Sequence, residues 1–289
     1  MSSTSSSARS AASGPPAEAP VAPVALVTGG AQRIGRAIAR ELAAAGWRIA
    51  VHYRHSSAEA AALVQELGAM PSGSDGGGAL KGERADNRAF GADLADEIQC
   101  RALVPQVRRA MGRIDALVNN ASLFEHDSAA DFSFANMERH WRANTGAPLL
   151  LAQALHAAGG SVVVNVLDQK LWNLNPDHLS YTLSKAALEV ATRMLAMAFA
   201  PRTRVVGVAP GITLTSNEMS AAEFAAAHRM TPLERGSTPE DIARAVRFLV
   251  TEAPAVTGTT LVVDGGQHLA GQARDVVFLA RSSLHQQQH

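Results

Sequence analysis

The chain has 289 residues, 47% of them hydrophobic, with 26 basic and 26 acidic side chains and a formal net charge of zero. A chain of this size buries a large core, and its balanced charge leaves no electrostatic footprint for nucleic acid or an anionic membrane surface. The single cysteine, Cys100, excludes an internal disulfide, and no apolar run approaches the ~18 residues of a membrane-crossing helix, so a cytoplasmic protein is expected.

Residues 1–20, rich in Ser, Ala and Pro, are expected to be a disordered tail without the apolar stretch of a secretory signal. Val24-Ala-Leu-Val-Thr28 then reads as a short apolar strand running into a glycine-rich turn, and Ile34, Ile38 and Leu42 begin a helix that ends at Ala45-Gly46. From there strands are predicted near 48–53, 88–92, 114–119, 161–167, 204–209 and 260–263. Helices are predicted near 57–68, 96–111, 134–157, 179–199 and 239–251. Repeated strand–helix units imply an α/β fold, a single-domain Rossmann-type doubly wound parallel sheet of about seven strands over residues 21–269. A flexible insertion is expected at 70–88, around Pro71-Ser-Gly-Ser-Asp-Gly-Gly-Gly78, and a tail at 270–289. His285 and His289 lack the spacing of metal ligands, and no metal is expected.

Three features carry chemistry. The turn Gly29-Gly-Ala-Gln-Arg33-Ile34-Gly35 follows a strand and opens a helix, the context in which a helix N-terminus faces a pyrophosphate. Tyr181 and Lys185 stand four apart, hence on one helix face, where an ammonium lowers a phenol's pKa and equips it for proton transfer. The second strand ends Ile49-Ala-Val-His52-Tyr53-Arg54-His55-Ser56, with no acid before Glu59. An NAD site places an acid there for the ribose hydroxyls. Arg54 and Ser56, helped by Tyr53, His55 and Arg33, instead suit a 2′-phosphate, which favours NADPH. Asp93-Leu94 reads as the contact to adenine.

Together these motifs resemble the short-chain dehydrogenase/reductase family across residues 24–267. The glycine motif matches at Thr28, Gly29 and Gly35, an Asn-Asn-Ala motif at Asn119, Asn120 and Ala121, and Tyr-x-x-x-Lys at Tyr181 and Lys185. A Pro-Gly matches at Pro210-Gly211 and an Asp-Gly-Gly at Asp264-Gly265-Gly266. The resemblance implies a proton-relay role for Asn144, a substrate lid at 212–231, and a homotetramer paired through the helix of Tyr181 and the one before it. Leu188, Ala191, Leu195, Phe199, Leu149, Ala152 and Leu155 are the residues expected at that interface.

The departures are more telling. Arg33 replaces the central glycine, Ser122 replaces a glycine after Asn-Asn-Ala, and Asp168 replaces the catalytic serine. This combination resembles the pteridine reductase branch and the related dihydromonapterin reductases, which also carry an aromatic where Phe124 stands. The chemistry points the same way. An ionised aspartate only accepts hydrogen bonds and would repel a carbonyl oxygen gaining negative charge, but it suits a substrate with N–H donors. Arg33 offers a guanidinium fork to a phosphate or oxo group, and Phe124 a face for a bicyclic ring.

The expected function is therefore NADPH-dependent hydride transfer to a pterin-type small molecule, dihydropterin to tetrahydropterin, with dihydrofolate a further candidate substrate. Asp168, Tyr181, Lys185 and Asn144 are the expected catalytic group, and Arg33, Ser122, Phe124, Asp168 and Tyr181 the substrate contacts. Alternatives are a carbonyl reductase, such as a 3-oxoacyl-thioester reductase or sugar-alcohol dehydrogenase, and a cofactor-binding regulator. The regulator would be expected to have lost Tyr181 or Lys185.

Overall fold

A computed structural model describes residues 21–70, 86–215 and 219–286. The expected N-terminal tail, residues 71–85 of the expected insertion, and His289 lie outside the described residues. The strands are β1 (Val24–Val27), β2 (Arg48–Tyr53), β3 (Arg88–Gly91), β4 (Ala116–Asn119), β5 (Val162–Val166), β6 (Arg204–Pro210) and β7 (Thr260–Val263). They pair in the order β3-β2-β1-β4-β5-β6-β7, all parallel. From β1 the chain winds outward through β2 to β3, then crosses back to β4 on the other side of β1. A crevice opens at the carboxyl ends of β1 and β4, where such sheets bind ligands.

Side-chain alternation divides the core between two faces. Ala25, Val27, Ala116 and Val118 face one cluster, with Ile38 and Leu42 of α1 (Arg33–Ala44), Leu63 of α2 (Ser57–Ala69), and Ile242 and Val246 of α8 (Pro239–Thr251). Val24, Leu26 and Leu117 face the other, with Leu103 and Val107 of α3 (Glu97–Met111), Leu151 and Leu155 of α5 (Ala147–Ala157), and Ala196 of α6 (Leu179–Phe199). Each large aliphatic side chain so buried contributes about 1.5–3 kcal/mol.

Two regions differ from the sequence-based expectation. The single helix expected at 134–157 is α4 (Phe134–Trp141), a π turn (Arg142–Gly146) and α5. Pro148 supplies a cause: it has no N–H, so the carbonyl of Asn144 lacks its α-helical donor, and the ladder is redrawn around it. The expected tail at 270–289 carries a helix, α9 (Val276–Gln286), and the expected lid contains α7 (Ala221–Arg229), opened by a Ser220–Glu223 capping box. The two pack through Val276 and Ala280 against Ala226 and Ala227, and Arg281 pairs with Glu223 at 2.9 Å. Alternating strands and helices foretell neither, because both cover the end of the sheet and not its face.

Candidate active site

A cavity of about 730 Å³ occupies the crevice. At its phosphate end, Gly29 has a φ of +60°, and a Cβ on Gly35 would lie 2.2 Å from the Gly29 carbonyl, so the turn and the helix start meet as only glycines allow. Thr28 and Asn120 bolt this turn to β4. The Thr28 hydroxyl accepts from the backbone N–H groups of Asn120 (2.9 Å) and Ala121 (3.0 Å), and the Asn120 side-chain amide donates to the Thr28 carbonyl at 2.9 Å. Thr28 is buried and reaches the site only through that support. Helix α1 starts at Arg33 without a side-chain cap from Gln32 and without an acid in its first turn, so its N-terminal amides remain suited to an anion. Arg33 itself has a φ of +52° and donates to the Thr215 carbonyl at 3.2 Å, joining the turn to the segment before α7.

Gly29, Arg33, Ile34, Gly35, Arg54, Asp93, Leu94, Asn120, Ala121, Ser122, Pro210 and Gly211 all line the cavity. Tyr53, His55 and Ser56 adjoin Arg54 but do not line it; the Tyr53 ring is turned against Gly91. Arg54 forms an ion pair with Asp93 at 2.8 Å, so the residues expected at the 2′-phosphate and at the adenine are joined. His52, unnamed by the motifs, also lines the cavity; its signal in the sequence was a polar residue inside an apolar strand.

At the other end, Tyr181, Lys185, Asp168 and Phe124 converge. The Tyr181 hydroxyl donates to Asp168 Oδ2 at 2.7 Å, and the Lys170 amide donates to Oδ1 at 2.8 Å. Lys185 Nζ donates to the Val166 carbonyl at 2.7 Å and lies 5.8 Å from the centre of the Tyr181 ring. Burial pushes the Asp168 carboxyl above its ordinary range, and lowers Lys185 to about 8 despite the carboxylate nearby. Burial, reinforced by Asp168, raises Tyr181 well above the ordinary phenol value. The expected lowering of Tyr181 by Lys185 is not what the folded site produces: desolvation and the facing carboxylate act in the opposite direction and favour the protonated phenol.

Phe124 is 51% exposed, stacks on His178 (4.3 Å between centroids, 25°) and meets Tyr181 edge-on at 4.7 Å. Half of its surface is open, beside the proton donor. Asn144 stands behind the site, and its side chain is fully engaged. Its amide donates to the Leu123 carbonyl (2.9 Å) and Ser184 (3.0 Å), and its oxygen accepts from the Leu123 amide (2.7 Å) and Ser122 (3.2 Å). That side chain holds the Ser122–Phe124 loop against α6; a relay would have to use the Asn144 carbonyl, which Pro148 deprives of its helical donor.

Residues distant in sequence complete the wall. Lys170, 3% exposed, pairs with Asp275 at 3.1 Å, and Arg274 grips Asp177 through two nitrogens, binding the C-terminal segment to the loop after Asp168. Both Lys170 and Asp275 line the cavity. Asp127 accepts from the Ser180 amide at 2.9 Å and fixes the start of α6 one residue before Tyr181. No local pattern marks Asp127 or Asp275, because their roles depend on partners 53 and 105 residues away.

A nucleotide-sized cavity at the switch point of a parallel sheet, with a tyrosine–lysine pair on one helix face, defines a reductase of the dinucleotide-binding class. The chain belongs to the short-chain dehydrogenase/reductase family: a family profile described as enoyl-(acyl carrier protein) reductase matches residues 29–268. It is thus an oxidoreductase. Among solved structures it is similar to FolM alternative dihydrofolate reductase 1 from Brucella suis in complex with NADP. That likeness has 39% identity and a TM-score of 0.77, covering 88% of this chain and 98% of that one. Among curated relatives it is 31% identical to pteridine reductase 1 of Leishmania tarentolae, over 86% of this chain and 98% of that protein. It is 35% identical to a putative ketoacyl reductase of granaticin polyketide synthesis from Streptomyces violaceoruber, over 87% and 98%.

Proposed function

We propose that the protein is an NADPH-dependent reductase of a pterin-type ring. The observation that carries the reading is the Tyr181–Asp168 hydrogen bond: the proton donor is backed by a half-buried carboxylate. The pteridine reductase and dihydrofolate reductase titles among the relatives, and the NADP in the Brucella structure, support it.

The chain's residues fit the cofactor. The glycine turn and uncapped helix start suit its pyrophosphate, Arg54 its 2′-phosphate, Asp93 and Leu94 its adenine, and Lys185 its nicotinamide ribose. When bound, NADPH supplies a hydride. Tyr181 delivers the accompanying proton to the ring nitrogen beside the reduced carbon. Asp168 holds the phenol in place and accepts from the substrate's amino or ring N–H groups. Phe124 offers a stacking face and Arg33 a donor fork to an oxo group. A substrate that develops negative charge on oxygen meets the wrong partner in Asp168, which separates this reading from the ketoacyl reductase one.

The test is NADPH oxidation measured against a dihydropterin, dihydrofolate and a panel of ketones and 3-oxoacyl thioesters. Turnover of the dihydropterin at least tenfold above every ketone is expected. Turnover of ketones alone would leave only the reductase class.

A further inference from the structure

We propose that His52 is a positioning residue for the cofactor, holding the glycine turn to the far edge of the nucleotide site, and that only its neutral Nε2–H tautomer can do so.

The ring is 2% exposed and makes two hydrogen bonds. Nδ1 faces the Gly29 amide at 3.1 Å, and Nε2 faces the Ala92 carbonyl at 3.0 Å. An amide only donates and a carbonyl only accepts, so the partners dictate the tautomer: Nδ1 bears the lone pair and Nε2 the proton. The backbone adds a third link, Gly30 N–H to the His52 carbonyl at 2.9 Å.

These contacts fall at three places that the nucleotide site needs. Gly29 opens the phosphate turn; Arg54 lies two residues beyond the ring; Ala92 directly precedes Asp93 and Leu94. One imidazole thus sets the separation of the phosphate turn from the adenine wall. Its bond at Gly29 also fixes the direction of an amide in a residue at φ +60°, where the backbone has no side chain to hold it.

A second proton on the ring would point an N–H at an N–H. The Gly29 bond would be lost, and the turn would have to move away from a cation. The charged groups nearby are Asp93, which favours the cation, and Arg54, which is already paired with Asp93. Burial outweighs both the bond to the Ala92 carbonyl and Asp93, and holds the ring below the ordinary histidine range, which favours the neutral form at pH 7. Cofactor affinity should then be whole at neutral pH and fall as acid charges this histidine.

The phosphate of NADPH also titrates near pH 6, so the experiment reads differences between proteins. Calorimetry would give dissociation constants for NADPH and NADH at about pH 7.5 and 5.5 for the unaltered protein, His52→Asn and His52→Leu. Asparagine places an oxygen near the Nδ1 position and does not titrate. His52→Leu should weaken NADPH at least tenfold at the higher pH, and His52→Asn less than threefold. Between the two pH values the unaltered protein should lose at least threefold more affinity than His52→Asn, with either cofactor. Nitrogen-15 NMR of the histidine rings, assigned by subtraction of His52→Asn, should find an Nε2–H tautomer in the cofactor-free protein at pH 7.5. An Nδ1–H tautomer, or equal acid losses in the unaltered and His52→Asn proteins, would overturn the proposal. Neither readout depends on which substrate is reduced.

Discussion

The Tyr181 hydroxyl and the Asp168 carboxylate, 13 residues apart in sequence, meet at 2.7 Å in a partly buried pocket. In that medium the phenol gives its proton to the carboxylate as a hydrogen bond and cannot readily lose it, since a phenolate would face an anion. Lys185 sits behind the ring and gives one of its three N–H donors to the Val166 carbonyl. The phenol is thereby kept protonated until a substrate nitrogen takes the proton.

The chain has only two tyrosines, so Tyr53→Phe leaves Tyr181 as the sole phenol. Ultraviolet titration of that variant without cofactor should show no phenolate below pH 10. Adding Asp168→Asn removes the facing charge and should bring the titration down. A phenol that ionises at or below pH 10 with Asp168 present would show that Lys185 governs it after all.

Lys185, lowered by burial to about 8, sets an alkaline boundary. With NADPH limiting, kcat/KM should decline above pH 8 as the ammonium facing the cofactor discharges. The stability sign is the reverse. Because the pKa falls on folding, charging Lys185 opposes folding: the penalty is full below pH 8 and disappears as pH rises toward 10.5. Lys185→Met should therefore abolish turnover yet raise Tm by about 2–4 °C. A fall in Tm would show that the bond to Val166 outweighs desolvation.

Cofactor preference should reside in Arg54. One charge-assisted contact contributes about 1.5–3 kcal/mol, so NADPH should bind at least tenfold more tightly than NADH. Arg54→Ala should erase that ratio while leaving NADH within about threefold. Equal affinities in the unaltered protein, by calorimetry, would contradict the assignment.

For assembly, the residues expected at a helix interface divide. Leu188, Ala152 and Leu155 are fully covered by the sheet, and Leu195 and Phe199 pack on the same core. The apolar residues that α6 leaves exposed are Leu183, Val190, Met194 and Met197, at spacings of one helix face. We expect a homotetramer through that face. Light scattering should show it dissociate on Met194→Glu with Met197→Glu, and a monomer before substitution would refute it.

Much of this was legible in the chain. Strand positions follow from apolar runs bounded by turns, and the glycine turn, Tyr181–Lys185 and Asp168 each fall on the cavity because strand ends converge there. What was hidden depends on contacts across the fold. The break in the helix after Trp141 is the exception, a local effect of the N–H missing at Pro148. Asp127 and Asp275 act on partners far along the chain. The state of Tyr181 needed burial, which reverses the sign that sequence neighbours suggest. The roles of Thr28 and Asn144 shift toward support for the same reason: Thr28 is spent on backbone groups, and Asn144 on the Leu123 backbone and the Ser122 and Ser184 hydroxyls.

The central claim is that Asp168 makes this pocket a pterin site, and Asp168→Ser tests it most directly. Steady-state NADPH oxidation would be compared for the two proteins with a dihydropterin and with a simple ketone. The account predicts that the substitution lowers dihydropterin turnover by about 10²–10⁴-fold. Ketone turnover should stay level or rise, since a hydroxyl can donate where a carboxylate could not. Dihydropterin turnover left intact by Asp168→Ser, or an unaltered protein that reduces the ketone and ignores the pterin, would contradict it.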